Sequence, residues 1–134
     1  MARRLSILAA VALVAAGCGV RNSKPFNPKP TAGCLRANGF TSVSTSPRRV
    51  GFVAAFADRG GLKATSPTGN VLTVAFADSP DGTADTEQAF RLHAPPHLRP
   101  HLSDIMSSSR NAVLVWTITP RPEELDTAQR CLKP

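Results

Sequence analysis

The three cysteines of the chain constrain its fold more than any other residues. Cys34 and Cys131 lie near the two ends of the region whose sequence predicts a folded domain, and Cys18 follows an apolar N-terminal run. A bond between Cys34 and Cys131 would close almost the whole domain into one loop. Whether these thiols are oxidised depends on the compartment, which the N-terminal residues indicate.

Residues 1–17 have the build of an export signal. Arg3 and Arg4 precede an apolar run from Leu5 to Ala16 in which only Ser6 is polar. A positive start, about a dozen apolar residues and a small-residue exit are typical of a signal peptide that is removed. The run is shorter than the roughly 20 apolar residues that a stable membrane span needs.

The segment Leu13-Val14-Ala15-Ala16-Gly17-Cys18 resembles the lipobox of bacterial lipoproteins. The resemblance implies that the Cys18 thiol takes up diacylglycerol, that cleavage occurs just before it, and that the mature protein is anchored to the cell membrane on its outer side. It covers only the signal, and it departs from the family's pattern at Ala15, where leucine is usual. The alternative is ordinary secretion after cleavage behind Ala16, which leaves Cys18 as a free thiol.

An extracytoplasmic location predicts a structural disulfide between Cys34 and Cys131, because paired thiols in small exported domains are oxidised. Closing a loop of this length stabilises a fold by about 4–5 kcal/mol in the chain-entropy model. The alternative, a redox couple, requires a Cys-x-x-Cys motif or a thiolate at a helix start, and the sequence has neither.

Cleavage before Cys18 leaves enough chain for one small domain. Residues 18–33 contain three prolines and little to bury. They are expected to form a lipid-anchored, Pro-rich tether that reaches roughly 50 Å when extended. A single α+β domain over residues 34–134 is expected to follow.

The charge of the chain indicates its partners only in part. The formal charge of +7 falls to +5 when Arg3 and Arg4 leave with the signal. Nucleic-acid surfaces combine dense basic stripes with aromatic platforms. Here Arg48-Arg49 is the only mature basic doublet, and the aromatic residues are one Trp and six Phe. We expect no nucleic-acid partner; besides the membrane, an envelope protein or an anionic wall polymer remains as a partner.

Short alternating helix and strand signals predict an α+β fold. The expected form is a small two-layer sandwich, with an antiparallel or mixed sheet of about four strands and helices on one face. Strands are expected at residues 40–43, 62–65, 71–77 and 112–118, and helices between Thr31 and Gly39, over residues 84–93 and from Pro122 onward. Residues 50–58 are ambiguous between a short helix and a buried strand.

Side-chain patterns predict which faces are buried. Leu72, Val74 and Phe76 share a bulky strand face, and the opposite face carries small side chains, so only the bulky face is expected to meet helices. The inward residues are further expected to include Ala89, Phe90 and Leu92 of the middle helix, and Leu114, Trp116 and Ile118 of the last strand.

Three histidines invite a metal interpretation that the sequence does not favour. His93, His97 and His101 recur at intervals of four, but the prolines between them prevent a regular helix with one ligand face. We interpret them as solvated loop residues and expect no metal and no cofactor. The segment 93–111 is the longest irregular one, and long loops host function more often than the scaffold does.

No catalytic constellation is evident either. Gly-x-Ser-x-Gly, Ser-x-x-Lys and phosphate-loop motifs do not occur in the sequence. The acidic residues Asp78, Asp81, Asp85 and Glu87 are explained by a helix start, where carboxylates oppose the helix dipole.

The pattern Asn111-Ala-Val-Leu-Val-Trp116, followed by an acidic helix and Cys131-Leu132, resembles small exported bacterial proteins that are themselves uncharacterised. The resemblance supports the domain boundaries and implies no activity. The sequence therefore predicts a non-enzymatic binding or interaction module of the cell envelope. The alternatives are a small extracytoplasmic ligand-binding protein or enzyme with its site in the 93–111 loop, and a structural envelope part without a ligand.

The lipobox resemblance can be tested with globomycin, which blocks cleavage of lipidated precursors. We expect the precursor of the wild-type chain to accumulate in treated cells, and the Cys18→Ser variant to be insensitive. A soluble mature protein that is unaffected by the drug would contradict lipidation at Cys18.

Overall fold

The computed structural model describes residues 23–134. In this part of the chain the helices are α1 (Pro28–Ala37), α2 (Pro47–Val50), α3 (Phe52–Phe56), α4 (Thr83–His93), α5 (Leu102–Ile105) and α6 (Pro122–Arg130). The strands are β1 (Thr41–Ser44), β2 (Gly61–Thr65), β3 (Val71–Phe76), β4 (Met106–Ser109) and β5 (Ala112–Trp116). Short 3₁₀ turns occur at Pro80–Gly82 and Arg99–His101.

The strands form one antiparallel sheet in the order β1-β2-β3-β5-β4. The predicted α+β class is confirmed, and the sheet is antiparallel throughout. It has five strands rather than about four because β4, which contains three consecutive serines, pairs with the edge of β5. Serine is a weak strand former, so the sequence gives no local signal for this element.

The front face of the sheet carries the main core. Leu72, Val74 and Phe76 of β3 are fully buried together with Leu114 and Trp116 of β5. The same cluster contains apolar side chains of α1, α5, α6 and the residues that follow α6, among them Ala32, Leu35, Leu102, Ile105, Ala128 and Leu132. The predicted bulky face therefore meets a helical layer.

Helices also cover the back face, which corrects the expectation of helices on one face. Ala75 of β3 packs with Val50 and Ala54, and Phe90 of α4 lies against this second cluster. The small side chains on this face allow α3 to approach the sheet closely. At Gly61, an added Cβ would lie 2.5 Å from the Ala54 Cβ, so this position of β2 requires glycine.

The ambiguous residues 50–58 form the end of α2 and all of α3. Gly51 separates the two short helices with a φ of +90°, a conformation that side chains disfavour.

Two residues predicted to face inward are instead exposed: Leu92 is 62% exposed and Ile118 is 64% exposed. Leu92 lies on the outer side of α4, and Ile118 follows the end of β5.

The described part of the predicted spacer, residues 23–33, packs onto the domain instead of extending away from it. Phe26 is 8% exposed, and α1 begins at Pro28, where proline suits the first turn of a helix. The buried Asn111 side chain accepts a hydrogen bond from the Phe26 N–H at 2.8 Å and donates to the Phe26 and Ala77 carbonyl oxygens. Arg110 places its guanidinium 4.1 Å from the centre of the Phe26 ring.

The sulfur atoms of Cys34 and Cys131 lie at disulfide distance, with the two Cα atoms 5.3 Å apart. The predicted pairing is confirmed. The bond joins α1 to the residue that follows α6, and 97 positions of sequence separate the two cysteines.

Glu124 ties α6 to the turn between β2 and β3. The side chain is buried, and its carboxylate accepts hydrogen bonds from the Ser66 hydroxyl at 2.5 Å, from the Thr68 hydroxyl and from the Arg121 N–H. Burial by itself raises the pKa of Glu124, but these hydrogen bonds and the Arg121 charge outweigh it. The pKa of Glu124 therefore lies below its ordinary value of 4.5.

The signal peptide and the lipidation residue Cys18 lie outside the described residues. Within residues 23–134, every helix is too short or too polar to cross a bilayer.

Asn111→Ala is expected to release the N-terminal segment. The substitution leaves polar groups of Phe26 and Ala77 unpaired in a buried site, which costs about 2–4 kcal/mol of unfolding free energy. Hydrogen exchange of the Phe26 amide should be slow in the wild type and fast in the variant. Asn38→Ala, on an exposed asparagine that bonds the Cys34 carbonyl, is the control and should keep the protection. Rapid exchange of the Phe26 amide in the wild type would contradict the docked segment.

Glu124→Gln is expected to change how stability depends on pH. Because the folded-state pKa is depressed, the carboxylate contributes fully above pH 4.5, and the contribution is lost as the pH falls through the folded-state pKa. Urea unfolding should show the wild type about 1–3 kcal/mol more stable than E124Q at neutral pH, with the difference shrinking in acid. Glu123→Gln, on the exposed neighbour, should follow the wild type. A gap that stays constant with pH is the contrary result.

Candidate functional site

The back face of the sheet is only partly covered, and the uncovered part forms a cavity of about 300 Å³. We call it the sheet pocket. Its walls are α2 and α3 on one side, and the end of α4 with the following turn on the other. These elements diverge because α3 contacts the sheet at Gly61 and Ala75, at one end of the face, and leaves the next row of residues open.

The floor of the sheet pocket is a row of side chains that crosses the sheet. Lys63 of β2 pairs in register with Thr73 of β3, and Thr73 pairs with Val115 of β5. All three line the sheet pocket. Strand side chains alternate between faces, so this row lies on the opposite face from Leu72 and Val74. Val115 still packs against the main core cluster.

The walls of the sheet pocket are mainly apolar. Residues from α2, α3, α4, the turn after α4, α5 and the end of β5 contribute; the apolar ones are Val50, Phe52, Val53, Ala54, Phe90, Ala94, Pro95, Leu98, Leu102 and Trp116. Phe52 is 61% exposed and stands at the rim, whereas Val50, Ala54 and Leu102 are buried. The pocket thus has rigid inner walls and an accessible aromatic edge.

A second cavity of about 260 Å³, the helix cleft, adjoins the sheet pocket. Phe52, Val53 and His93 line both cavities. The helix cleft differs in charge because Asp58 and Asp85 line it.

Aromatic contacts separate the two cavities. The ring centroids of Phe52 and His93 lie 4.9 Å apart, and those of Phe52 and Phe56 lie 5.0 Å apart. Phe56 is 78% exposed. Two adjacent aromatic rings with this much exposure form an apolar surface patch, a feature that is common at interaction sites.

The histidines do not act together. His93 ends α4 and contacts Phe52 with the two rings tilted by 55°, His97 lies in the following turn, and His101 lies in a 3₁₀ turn. In the part of the chain that the structure describes, no group of three His, Cys, Asp or Glu residues is arranged to hold a metal ion.

The 93–111 segment contributes to the site with residues up to Leu102, the first residue of α5. Ala94, Pro95, Leu98 and Leu102 form one wall of the sheet pocket. The second half is not an irregular loop, since it contains α5 and β4.

The acidic residues that the sequence assigns to a helix start have separate roles. Asp78 forms an ion pair with Arg59 at 3.4 Å, and Glu87 accepts a hydrogen bond from Ser108. Asp85 lies in the first turn of α4, where a carboxylate opposes the helix dipole, and it also lines the helix cleft. Asp81 lies in the 3₁₀ turn before that helix.

Sequence reasoning missed Phe52, Phe56 and Lys63 as candidate site residues. The available signal was the spacing of Phe52 and Phe56, which places both rings on one side of a helical turn. That signal depends on assigning residues 50–58 as helical, which periodicity alone does not decide. The position of Lys63 opposite Thr73 depends on strand register.

Chemically, the arrangement is suited to binding an apolar group. The sheet pocket offers an apolar enclosure with a lysine and two threonine hydroxyls, from Thr73 and Thr117, among its lining residues. Ligand sites in proteins are typically concave and apolar, with a few polar groups that orient the ligand.

Comparisons of the chain with protein-family models, with curated proteins and with solved structures found no match.

Proposed function

We propose that this protein is a non-enzymatic binding module of the bacterial cell envelope, anchored to the outer side of the membrane by a lipid on Cys18. In this proposal the module captures a small, largely apolar ligand in the sheet pocket. The function thus combines the predicted binding module with the alternative of a small-ligand site that involves the 93–111 segment.

The open sheet pocket is the observation that supports the proposal most strongly. Its volume of about 300 Å³ lies at the lower end of the range of about 300–1,000 Å³ that is usual for ligand sites. Buried residues of both apolar clusters, among them Val50, Ala54 and Leu102, line this cavity beside the exposed Phe52 ring. A small apolar ligand would cover that surface without any change in the strands.

The location on the membrane is supported by the lipobox-type residues that end at Cys18. The Cys34–Cys131 pairing is consistent with the same cellular location, because disulfides persist in oxidising compartments. With these two thiols paired, Cys18 is left for lipid attachment.

Docking of an envelope protein is a second candidate function, and the Phe56 ring favours it. Phe56 is the most exposed large apolar residue in the described chain, and it lines the helix cleft but not the sheet pocket. The two functions therefore use different aromatic residues of α3.

Fluorescence of the neutral apolar dye N-phenylnaphthylamine can test ligand capture. The mature chain, residues 18–134 with Cys18→Ser, is produced without residues 1–17, so that it carries neither the lipid nor the apolar signal segment and can be studied without detergent. We expect the dye to bind, and Phe52→Ser to weaken binding about fivefold to tenfold, as expected for about 1–1.4 kcal/mol of lost apolar contact.

Leu92→Ser is the matched control, because Leu92 and Phe52 are 62% and 61% exposed and Leu92 lines neither cavity. Phe56→Ser should likewise retain the dye. Dye binding that is absent, or equally strong in F52S and the wild type, contradicts ligand capture in the sheet pocket. Loss of the dye in F56S alone would shift the site to the helix cleft.

A further inference from the structure

The charges around the two cavities are distributed unequally. Lys63 is the single lysine or arginine that lines the sheet pocket, and no described carboxylate lines it. Asp58 and Asp85 line the helix cleft on the other side of the Phe52–His93 contact. A ligand in the sheet pocket thus meets one lysine, whose residue belongs to the floor, and is separated from the two carboxylates by an aromatic pair.

Lys63 is free to serve a ligand. The ion pairs that residues 23–134 contain join Arg59 to Asp78 and Arg130 to Asp126, so Lys63 takes part in neither. Its side chain is exposed, while its neighbours in register, Thr73 and Ser44, carry hydroxyl groups rather than carboxylates. A lysine stem can lie along an apolar floor while its ammonium group stays at the water boundary.

We propose that the sheet pocket binds an amphipathic carboxylate, a medium-length acyl chain with a free acid group, and that Lys63 is the counter-ion. The inference rests on the proposed ligand capture and names the ligand class. The acyl chain lies between the apolar walls of α3 and the turn after α4. The carboxylate meets the Lys63 ammonium at the rim.

The size of the cavity sets the length of the chain. A volume of about 300 Å³ corresponds to roughly ten water-sized groups. Octanoate has a chain of this size, and it differs from octanol and octylamine only in its head group. These three compounds therefore separate the contribution of charge from the contribution of apolar contact.

Displacement of N-phenylnaphthylamine from the Cys18→Ser chain by the three compounds tests the proposal. We expect octanoate to displace the dye at about a fivefold lower concentration than octanol, as expected for a partly exposed charge pair. Octylamine should be the weakest competitor, because its ammonium group is repelled by Lys63.

Substitutions at Lys63 separate the contribution of its positive charge to ligand preference from the contribution of its apolar stem. In Lys63→Gln, octanoate and octanol should displace the dye at equal concentrations; the readout is the ratio of the two displacing concentrations, which does not depend on how tightly the variant binds the dye. Lys63→Arg, which keeps the charge, should restore the preference for octanoate. Lys29→Gln removes an exposed lysine of α1 that does not line the pocket, and it should behave as the wild type.

The outcomes distinguish the two proposals. If the dye binds but octanol competes as well as octanoate, or K63Q keeps the preference for octanoate, the carboxylate inference is wrong and ligand capture stands. If the dye fails to bind the wild type, ligand capture fails and the inference fails with it.

Discussion

The unequal size of the side chains on the two faces of β3 governs the rest of the structure. Leu72, Val74 and Phe76 fill the front face, where they form the main core with helices α1, α5 and α6. Ala75 on the back face is small enough for α3 to rest on it, and Gly61 on the neighbouring strand removes the Cβ that would block Ala54. A close helix–sheet contact results at one end of the back face.

The pocket is a consequence of the same contact. Since α3 is only five residues long, it covers the row of Gly61 and Ala75 but does not extend over Lys63, Thr73 and Val115. The turn after α4 approaches from the other side and does not close the gap. The space between them stays open while its floor remains part of a paired, rigid sheet, which favours a preformed site over one that assembles around its ligand.

The chain ends are held by three interactions of different kinds. The disulfide joins α1 to the end of α6, Asn111 binds the backbone of Phe26, and Glu124 binds the turn between β2 and β3. Closing a loop of nearly the whole domain is worth about 4–5 kcal/mol in the chain-entropy model. A hydrogen bond to a charged group contributes about 1.5–3 kcal/mol. Such contributions are large for a domain whose net stability is typically about 5–15 kcal/mol.

Much of the scaffold could be predicted from the sequence because its signals are local. The alternation in residues 71–77 identified β3 and its bulky face, and Pro122 with the acids after it identified α6. The cysteine pairing could be predicted from the oxidising compartment that the export signal indicates and from the number of cysteines in the chain. The expectation that the prolines near Phe26 form a spacer is wrong. Prolines favour both an extended chain and the first turn of a helix. The buried hydrogen bond between Phe26 and Asn111 is what decides for a docked segment followed by a helix.

The candidate site could not be predicted in the same way because it depends on nonlocal geometry. Lys63, Thr73 and Val115 come from three strands, and only their register brings them into one row. Phe90 and Leu92 are both apolar residues of α4, but two residues advance a helix by about 200°, so only one of them can face the sheet. The position of α3 selects Phe90, and Leu92 faces solvent. Sequence periodicity assigns an apolar face to an element, but it does not show where two elements leave a gap.

The docked N-terminal segment also changes the geometry of the proposed membrane anchor. The expected spacer of residues 18–33 would reach roughly 50 Å, but Phe26 is held against the domain by Asn111. From Cys18 to Lys24 a chain spans at most about 20 Å. If Cys18 carries a lipid, the domain is held within that distance of the headgroups. Ligands that partition into the bilayer surface, such as acyl carboxylates, are most concentrated in that zone, so the short tether and the apolar pocket favour the same class of ligand.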